Sequence, residues 1–283
     1  MAVPSWPAIR HPTLAYFTGP TPFFACLADP RVSYCLYVPA RTDGDPERYP
    51  LLVLQHGTAR TAAKYRDAYR DFCEEQRIAV LAPLFPAGLI DPTDLHGFKF
   101  LNYRGIRFDL LLLQIIDEAA ERLPIVNERF ALHGFSGGGQ FAHRFLYAHA
   151  ERLAAVSIGA PGRITLLDET LPWWLGTDGI EKIVGTRPDI EAIRRVAIQL
   201  VVGADDTETW EINNPGDSNW MDGVGKTGST RIERITTLSE SLASHGIKAQ
   251  LDVVPGVAHS GLGVRPAVEA FIADTLSVLR ISA

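Results

Sequence analysis

Two patterns of apolar residues alternate along this chain. Short, nearly unbroken apolar runs recur, and between them lie longer segments whose apolar residues return at helical spacing. The runs Ser33–Val38, Leu51–Gln55, Ile78–Ala82, Leu153–Ile158, Ala197–Val202 and Ala249–Val254 predict strands, and Arg129–His133 predicts a further short one. Runs apolar at every position, such as Leu51-Leu52-Val53-Leu54, suit strands buried on both faces. Pro83 is expected to end the strand before it. Helical spacing predicts a helix over 62–76, with Tyr65, Ala68, Tyr69 and Phe72 on one stripe. It predicts others over 109–123, stopped by Pro124, and over 140–147, 190–195 and 266–279. A helix over 231–245 is closed by Gly246. Residues 1–30 hold six of the 19 prolines and predict irregular wrapping or edge strands.

The rhythm of strand and helix points to one α/β domain over residues 1–283, interrupted near 83–107, 159–196 and 207–230 by cap-like insertions. Apolar content of 46% is enough for a core of that size, and 21% charged residues argues against disorder. A net charge of −6 gives no reason to expect nucleic acid or an anionic membrane as partner. No apolar run approaches the ~18 residues of a spanning helix. The start, Met1-Ala2-Val3-Pro4-Ser5-Trp6-Pro7, lacks a basic region followed by an apolar core, so a cytoplasmic protein is expected; a chain trimmed of its leader would read the same. Cys26, Cys35 and Cys73 are an odd count without metal-ligand spacing. They read as buried free thiols, against a competing reading in which Cys26 and Cys35 form a bridge.

The chemistry concentrates at Gly134-Phe135-Ser136-Gly137-Gly138, a Gly-x-Ser-x-Gly pattern between a predicted strand and a predicted helix. A strand that turns sharply into a helix there must strain its serine and keep side chains off its neighbours. The turn would expose the serine oxygen and set the following N–H groups at a helix N-terminus, where developing negative charge is favoured. The competing reading is a glycine-rich turn whose serine only caps the helix.

Serine needs a base to take its proton, and the base needs an acid to hold it in one tautomer. Of eight histidines, His259 alone sits in a glycine-flanked loop beyond the last predicted strand. His133, His143 and His149 belong to the strand and helix around Ser136, and His245 to a helix end. His11, His56 and His96 fall in the proline-rich start, an early loop and the long loop. Asp205 and Asp206 both follow the strand that ends at Gly203, and the residues alone do not separate them. His56-Gly57-Thr58, just past an early strand, is placed to offer a second oxyanion donor through the Thr58 backbone, beside that of Gly137; a plain loop is the alternative.

As a set, these residues resemble the α/β-hydrolase superfamily over about residues 33–280. The subgroup they resemble most is the poly(3-hydroxybutyrate) depolymerase-like esterases. The resemblance rests on Gln55-His56-Gly57-Thr58-Ala59-Arg60, Ser136-Gly137-Gly138-Gly139-Gln140, Gly203-Ala204-Asp205-Asp206 and Val254-Pro255-Gly256-Val257-Ala258-His259. It implies a mostly parallel central sheet with helices on both faces and insertions forming a partial cap. It implies a carboxylesterase-type serine hydrolase with Ser136, Asp206 and His259 as catalytic triad. Asp206 is selected because the family's acid stands three residues after the strand-ending glycine. Small soluble or oligomeric hydroxyalkanoate-type esters are the substrates expected, with no metal or organic cofactor. A peptidase or amidase, and a catalytically silent binding protein, are the rival readings on the same fold. Phe98, Phe100, Tyr103, Trp173, Trp174, Trp210 and Trp220 fall in the insertions. Of these, Tyr103, Trp173, Trp174 and Trp220 are expected to contact substrate, with loop packing as the alternative.

Overall fold

The computed structural model describes residues 16–209, 216 and 220–281. Its strands are β1 (Gly19–Pro20), β2 (Phe24–Ala25), β3 (Ser33–Val38), β4 (Leu51–Gln55), β5 (Ala79–Leu84), β6 (Asn102–Tyr103), β7 (Ile106–Arg107), β8 (Phe130–Phe135), β9 (Leu153–Gly159), β10 (Ala197–Gly203) and β11 (Gln250–Val254). Its helices are α1 (Ala62–Ala68), α2 (Arg70–Gln76), α3 (Phe108–Ala120), α4 (Gly137–His149), α5 (Ile180–Val184), α6 (Ile190–Arg194), α7 (Arg231–Ser244) and α8 (Arg265–Ile281).

The main sheet runs β1-β3-β5-β4-β8-β9-β10-β11, with β2 also on β3. From β5 to β11 every pairing is parallel; β1, β2 and β5 pair antiparallel with β3. The predicted mostly parallel sheet is therefore present, and the proline-rich start supplies its edge strands β1 and β2. Central strands β4, β8 and β9 are buried at every position, as their unbroken apolar runs require. Opposite faces carry different helices. Phe130 of β8 packs at a tilt on Phe145 of α4, whereas Gln199 of β10 reaches the Ala267 carbonyl of α8. That second face holds a polar rung across four strands. His133 Nδ1 lies 3.0 Å from Ser157 Oγ, which donates to Gln199 Oε1 at 2.6 Å; Gln199 Nε2 donates to Asp252 Oδ2 at 2.6 Å.

Two local expectations are corrected. The helix predicted over 62–76 is broken at Tyr69, where the Ala68 carbonyl is turned to accept a hydrogen bond from Arg265 of α8. Pro83 does not end its strand but sits inside β5 opposite Tyr34. Pairing of β5 with β4 stops at Leu81, so beyond it a missing N–H costs no bond on that side. Smaller shifts occur at ends: α3 stops at Ala120 rather than Leu123, and α4 starts directly after Ser136. The stretch 83–107 holds a 3-10 turn, Gly97–Phe100, and the β6–β7 hairpin; 159–196 holds α5 and α6. Cys26, Cys35 and Cys73 are buried free thiols, and Cys26 and Cys35 are not bridged. No helix among the described residues is long and apolar enough to cross a membrane.

Candidate active site

Ser136 stands at the junction of β8 and α4 with φ 57° and ψ −114°, a conformation that side chains strain to adopt. The backbone around it is too close for side chains. A Cβ on Gly134 would lie 2.2 Å from the Gly138 carbonyl oxygen, and one on Gly138 would lie 2.3 Å from that of Gln55. The glycine spacing is thus enforced by contact. The strained serine is held from both sides: its N–H donates to Gly159 O at 2.8 Å, and its carbonyl accepts from Gln140 N at 3.0 Å.

The loop after β4 lies against this turn. A Cβ on Gly137 would stand 3.1 Å from Thr58 N, and one on Gly57 would stand 3.8 Å from Ser136 Cβ. Thr58 and Gly137 are therefore brought together beside Ser136. His56 fixes the loop without facing solvent. Its Nε2 accepts from Phe85 N at 3.0 Å, so Nδ1 carries the proton and donates to Gly57 O at 2.8 Å. Burial drives its pKa down to about 3, which keeps the ring neutral.

On the neighbouring strands, the loop after β11 folds over the turn after β10. Ala204 N donates to Val254 O at 2.8 Å and Asp205 N to Val257 O at 2.9 Å. Gly203 permits this approach, since a Cβ there would stand 2.1 Å from Val257 O. The two expected acids separate. Asp205 is exposed, whereas Asp206 is fully buried and its Oδ2 lies 2.6 Å from His259 Nδ1. A carboxylate only accepts, so Nδ1 bears the proton and Nε2 is left as the basic nitrogen. The His259 ring packs on Phe135, the residue before the serine, with centroids 4.9 Å apart.

The aromatics of the insertions divide by surroundings. Phe98 is core, packed on His56, Phe85 and Phe141. Trp174, 8% exposed, clusters with Leu175 and Val224, and its ring lies 6.1 Å from Phe100. The buried Arg144 guanidinium of α4 lies over Phe100, Trp173 and Trp174 at 4.7, 5.7 and 5.8 Å. Tyr103 is half-buried beside Gly97 in the wall of a cavity of about 170 Å³, and Trp220 is 39% exposed. Trp210 lies outside the described residues. Sequence reading missed Arg231, which is buried against Asp206, and Lys99, whose side chain reaches Gly137. Both arrive from distant segments, and neither lies in a motif. Among the described residues no group of His, Cys, Asp and Glu could hold a metal ion.

No protein-family model and no curated protein matches the chain. Solved structures do. LpqC, a poly(3-hydroxybutyrate) depolymerase from Bordetella parapertussis, superposes with a TM-score of 0.67 at 24% identity, over 89% of this chain and 88% of that one. Poly(aspartic acid) hydrolase-1 from Sphingomonas sp. KT-1 gives 0.67 at 20% identity, over 84% and 92%. The S-formylglutathione hydrolase FrmB from Staphylococcus aureus gives 0.59 at 14% identity, over 90% and 97%. With a mostly parallel sheet, helices on both faces and a strained serine at the β8–α4 turn, the chain has the α/β-hydrolase fold.

Proposed function

We propose that the chain is a serine hydrolase that cleaves carboxylic esters through an acyl-enzyme. Ser136 Oγ attacks the ester carbonyl while His259 Nε2 takes its proton, and Asp206 holds the ring and offsets the charge it acquires. The N–H groups of Thr58 and Gly137 receive the oxyanion, each worth roughly 3–4 kcal/mol of transition-state stabilisation. Collapse of the tetrahedral intermediate returns the proton to the leaving alcohol, and water repeats the sequence to release the acid.

The observation that carries this reading is the His259–Asp206 pair, 2.6 Å apart and packed on Phe135 beside the strained Ser136. A helix cap would need neither the strain nor a buried carboxylate–imidazole pair on separate strands. Likeness in fold to a poly(3-hydroxybutyrate) depolymerase supports hydroxyalkanoate-type esters, small or oligomeric, as the class to try first.

The deciding experiment is Ser136→Ala, assayed on p-nitrophenyl esters of graded chain length with an amide control. Turnover should fall by several orders of magnitude and labelling by a fluorophosphonate should vanish, with the circular dichroism spectrum unchanged. A folded variant that keeps near-original turnover overturns the assignment.

A further inference from the structure

Resting on the assignment of the Thr58 N–H to the oxyanion, we propose that Arg60 is a positioning residue for the reaction. Its side chain ties the loop that presents this N–H to the insertion after β5. The Gly57 carbonyl oxygen accepts from His56 Nδ1 at 2.8 Å and from Arg60 N at 3.2 Å. The Gly57–Thr58 peptide is trans, so its N–H points away from its C=O. Both donors on Gly57 O thus aim the Thr58 N–H to the opposite side, and a Cβ on Gly137 would stand 3.1 Å from Thr58 N. The next peptide is held as well, since Arg60 Nη1 donates to Thr58 O at 2.6 Å. Thr58 therefore lies between two fixed carbonyls, and Arg60 supplies a donor to each, one from its backbone and one from its guanidinium.

The rest of the guanidinium reaches out of the loop. Nη1 also donates to Leu95 O at 2.9 Å, and Nε donates to Phe85 O at 3.3 Å. The guanidinium carbon lies 4.9 Å over the Phe98 ring, which is itself 4.9 Å from the His56 ring. Phe85 N donates to His56 Nε2 at 3.0 Å, so the backbone of Phe85 is bonded on both its N–H and its C=O. The insertion is thereby held at Phe85, Leu95 and Phe98, the loop at Gly57 and Thr58, and one residue joins the two sets. All three side-chain hydrogen bonds of Arg60 end on carbonyl oxygens, which a cation holds more firmly than a neutral donor would. Arg60 makes these contacts at φ 53°, in the left-handed region where glycine is easiest.

The oxyanion exists only once Ser136 has attacked. A displaced Thr58 N–H therefore weakens the transition state more than it weakens substrate binding, and loss of Arg60 should be read in kcat and not in KM.

The test uses p-nitrophenyl butyrate for turnover and 1,1,1-trifluoro-2-hexanone as a probe of the oxyanion. Ser136 Oγ bonds to the ketone carbon, its proton passes to His259, and the carbonyl electron pair moves onto oxygen. 2-Hexanone, too weak an electrophile to form that adduct, is the ground-state control. Arg60→Met should lower kcat about ten- to hundredfold with KM within about threefold. It should weaken the trifluoroketone by the same factor and leave inhibition by 2-hexanone unchanged. Arg60→Lys, which keeps the charge but lacks the fork that reaches all three carbonyls, should fall between. Unchanged kcat in Arg60→Met, or a loss of kcat with undiminished trifluoroketone affinity, overturns the proposal. If Arg60→Met fails to fold, 15N relaxation of the unaltered protein decides: a Thr58 amide as ordered as those of β4 is expected, and an order parameter below about 0.6 overturns the proposal. Failure of the parent reading looks different: the unaltered protein itself forms no trifluoroketone adduct and takes no fluorophosphonate at Ser136, which removes both.

Discussion

Arg231 donates to the carboxylate oxygen of Asp206 that His259 does not use. Arg231 Nη1 lies 3.2 Å from Oδ1, His259 Nδ1 lies 2.6 Å from Oδ2, and Arg231 and Asp206 are both buried. Rotation of the carboxylate would sacrifice one partner or the other, so Arg231 fixes the plane in which Asp206 meets the imidazole. Removing one member of a buried pair costs roughly 3–5 kcal/mol, because a charge is left behind. Arg231→Met should therefore lower the urea midpoint substantially and reduce kcat about tenfold, with KM less affected. Equal kcat in the folded variant would show that the arginine only fills space.

The neighbouring acids should behave differently. Asp206→Asn removes the acceptor that fixes the His259 tautomer and should cost ~10²–10⁴ in kcat on p-nitrophenyl esters. Asp205 is exposed and its backbone N–H, not its carboxylate, holds the loop. Asp205→Asn should stay within about twofold, as surface changes do. The reverse ranking in kcat would move the acid to Asp205.

Trp174 has the surroundings of a packing residue. With Leu175, Val224, Phe100 and the Arg144 guanidinium around it, Trp174→Ala should cost ~3–5 kcal/mol. Its acyl chain-length preference should be unchanged. Trp220→Ala, on the surface, should barely move the melting temperature. A large chain-length shift in Trp174→Ala, of the ~1–3 kcal/mol typical of apolar pockets, would make it a wall of the substrate site instead.

Three buried histidines predict acid lability. Burial takes His56 to about 3 and His133 to about 4, and holds His143 well below its ordinary 6.5. Each is neutral when folded and takes up a proton more readily when unfolded. Their contribution is complete above pH 6.5 and is lost as pH falls toward the folded values. Each contributes a slope of up to ~1.4 kcal/mol per pH unit inside that window. Unfolding free energy should fall steeply between about pH 6.5 and 4. Melting curves at pH 7.5, 6 and 5 that superimpose would exclude it.

Much of this was legible in the chain because two periods rarely coincide by accident. Leu51–Gln55 appears as a strand with the bounds its apolar run predicts, and Gly246 follows α7 with a positive φ. Ser136 was legible because sterics leave glycine at 134 and 138 without substitute. What stayed hidden depends on segments far apart in sequence. At the break at Tyr69 the Ala68 carbonyl meets an arginine 197 residues away, and the apolar stripe continues through it without a mark. Arg231 read as the start of an amphipathic helix, and nothing local shows that its first residue reaches Asp206, 25 positions earlier.

The polar rung from His133 through Ser157 and Gln199 to Asp252 sits on four strands that belong to different parts of the chain. A one-residue slip of any strand would turn its rung member to the opposite face and strand the others without partners. Apolar neighbours such as Leu200 and Val201 could exchange roles with far less loss. Alignment of β11 with β10 is thus encoded chemically and not only by greasiness. His259 follows five residues after β11 ends, so the alignment favoured by this rung of imidazole, hydroxyl, amide and carboxylate also places the loop that carries the imidazole to Asp206. Grafting a new loop onto that edge would preserve the alignment; repainting the rung as hydrocarbon would leave a stable sheet that no longer knows where to put its histidine.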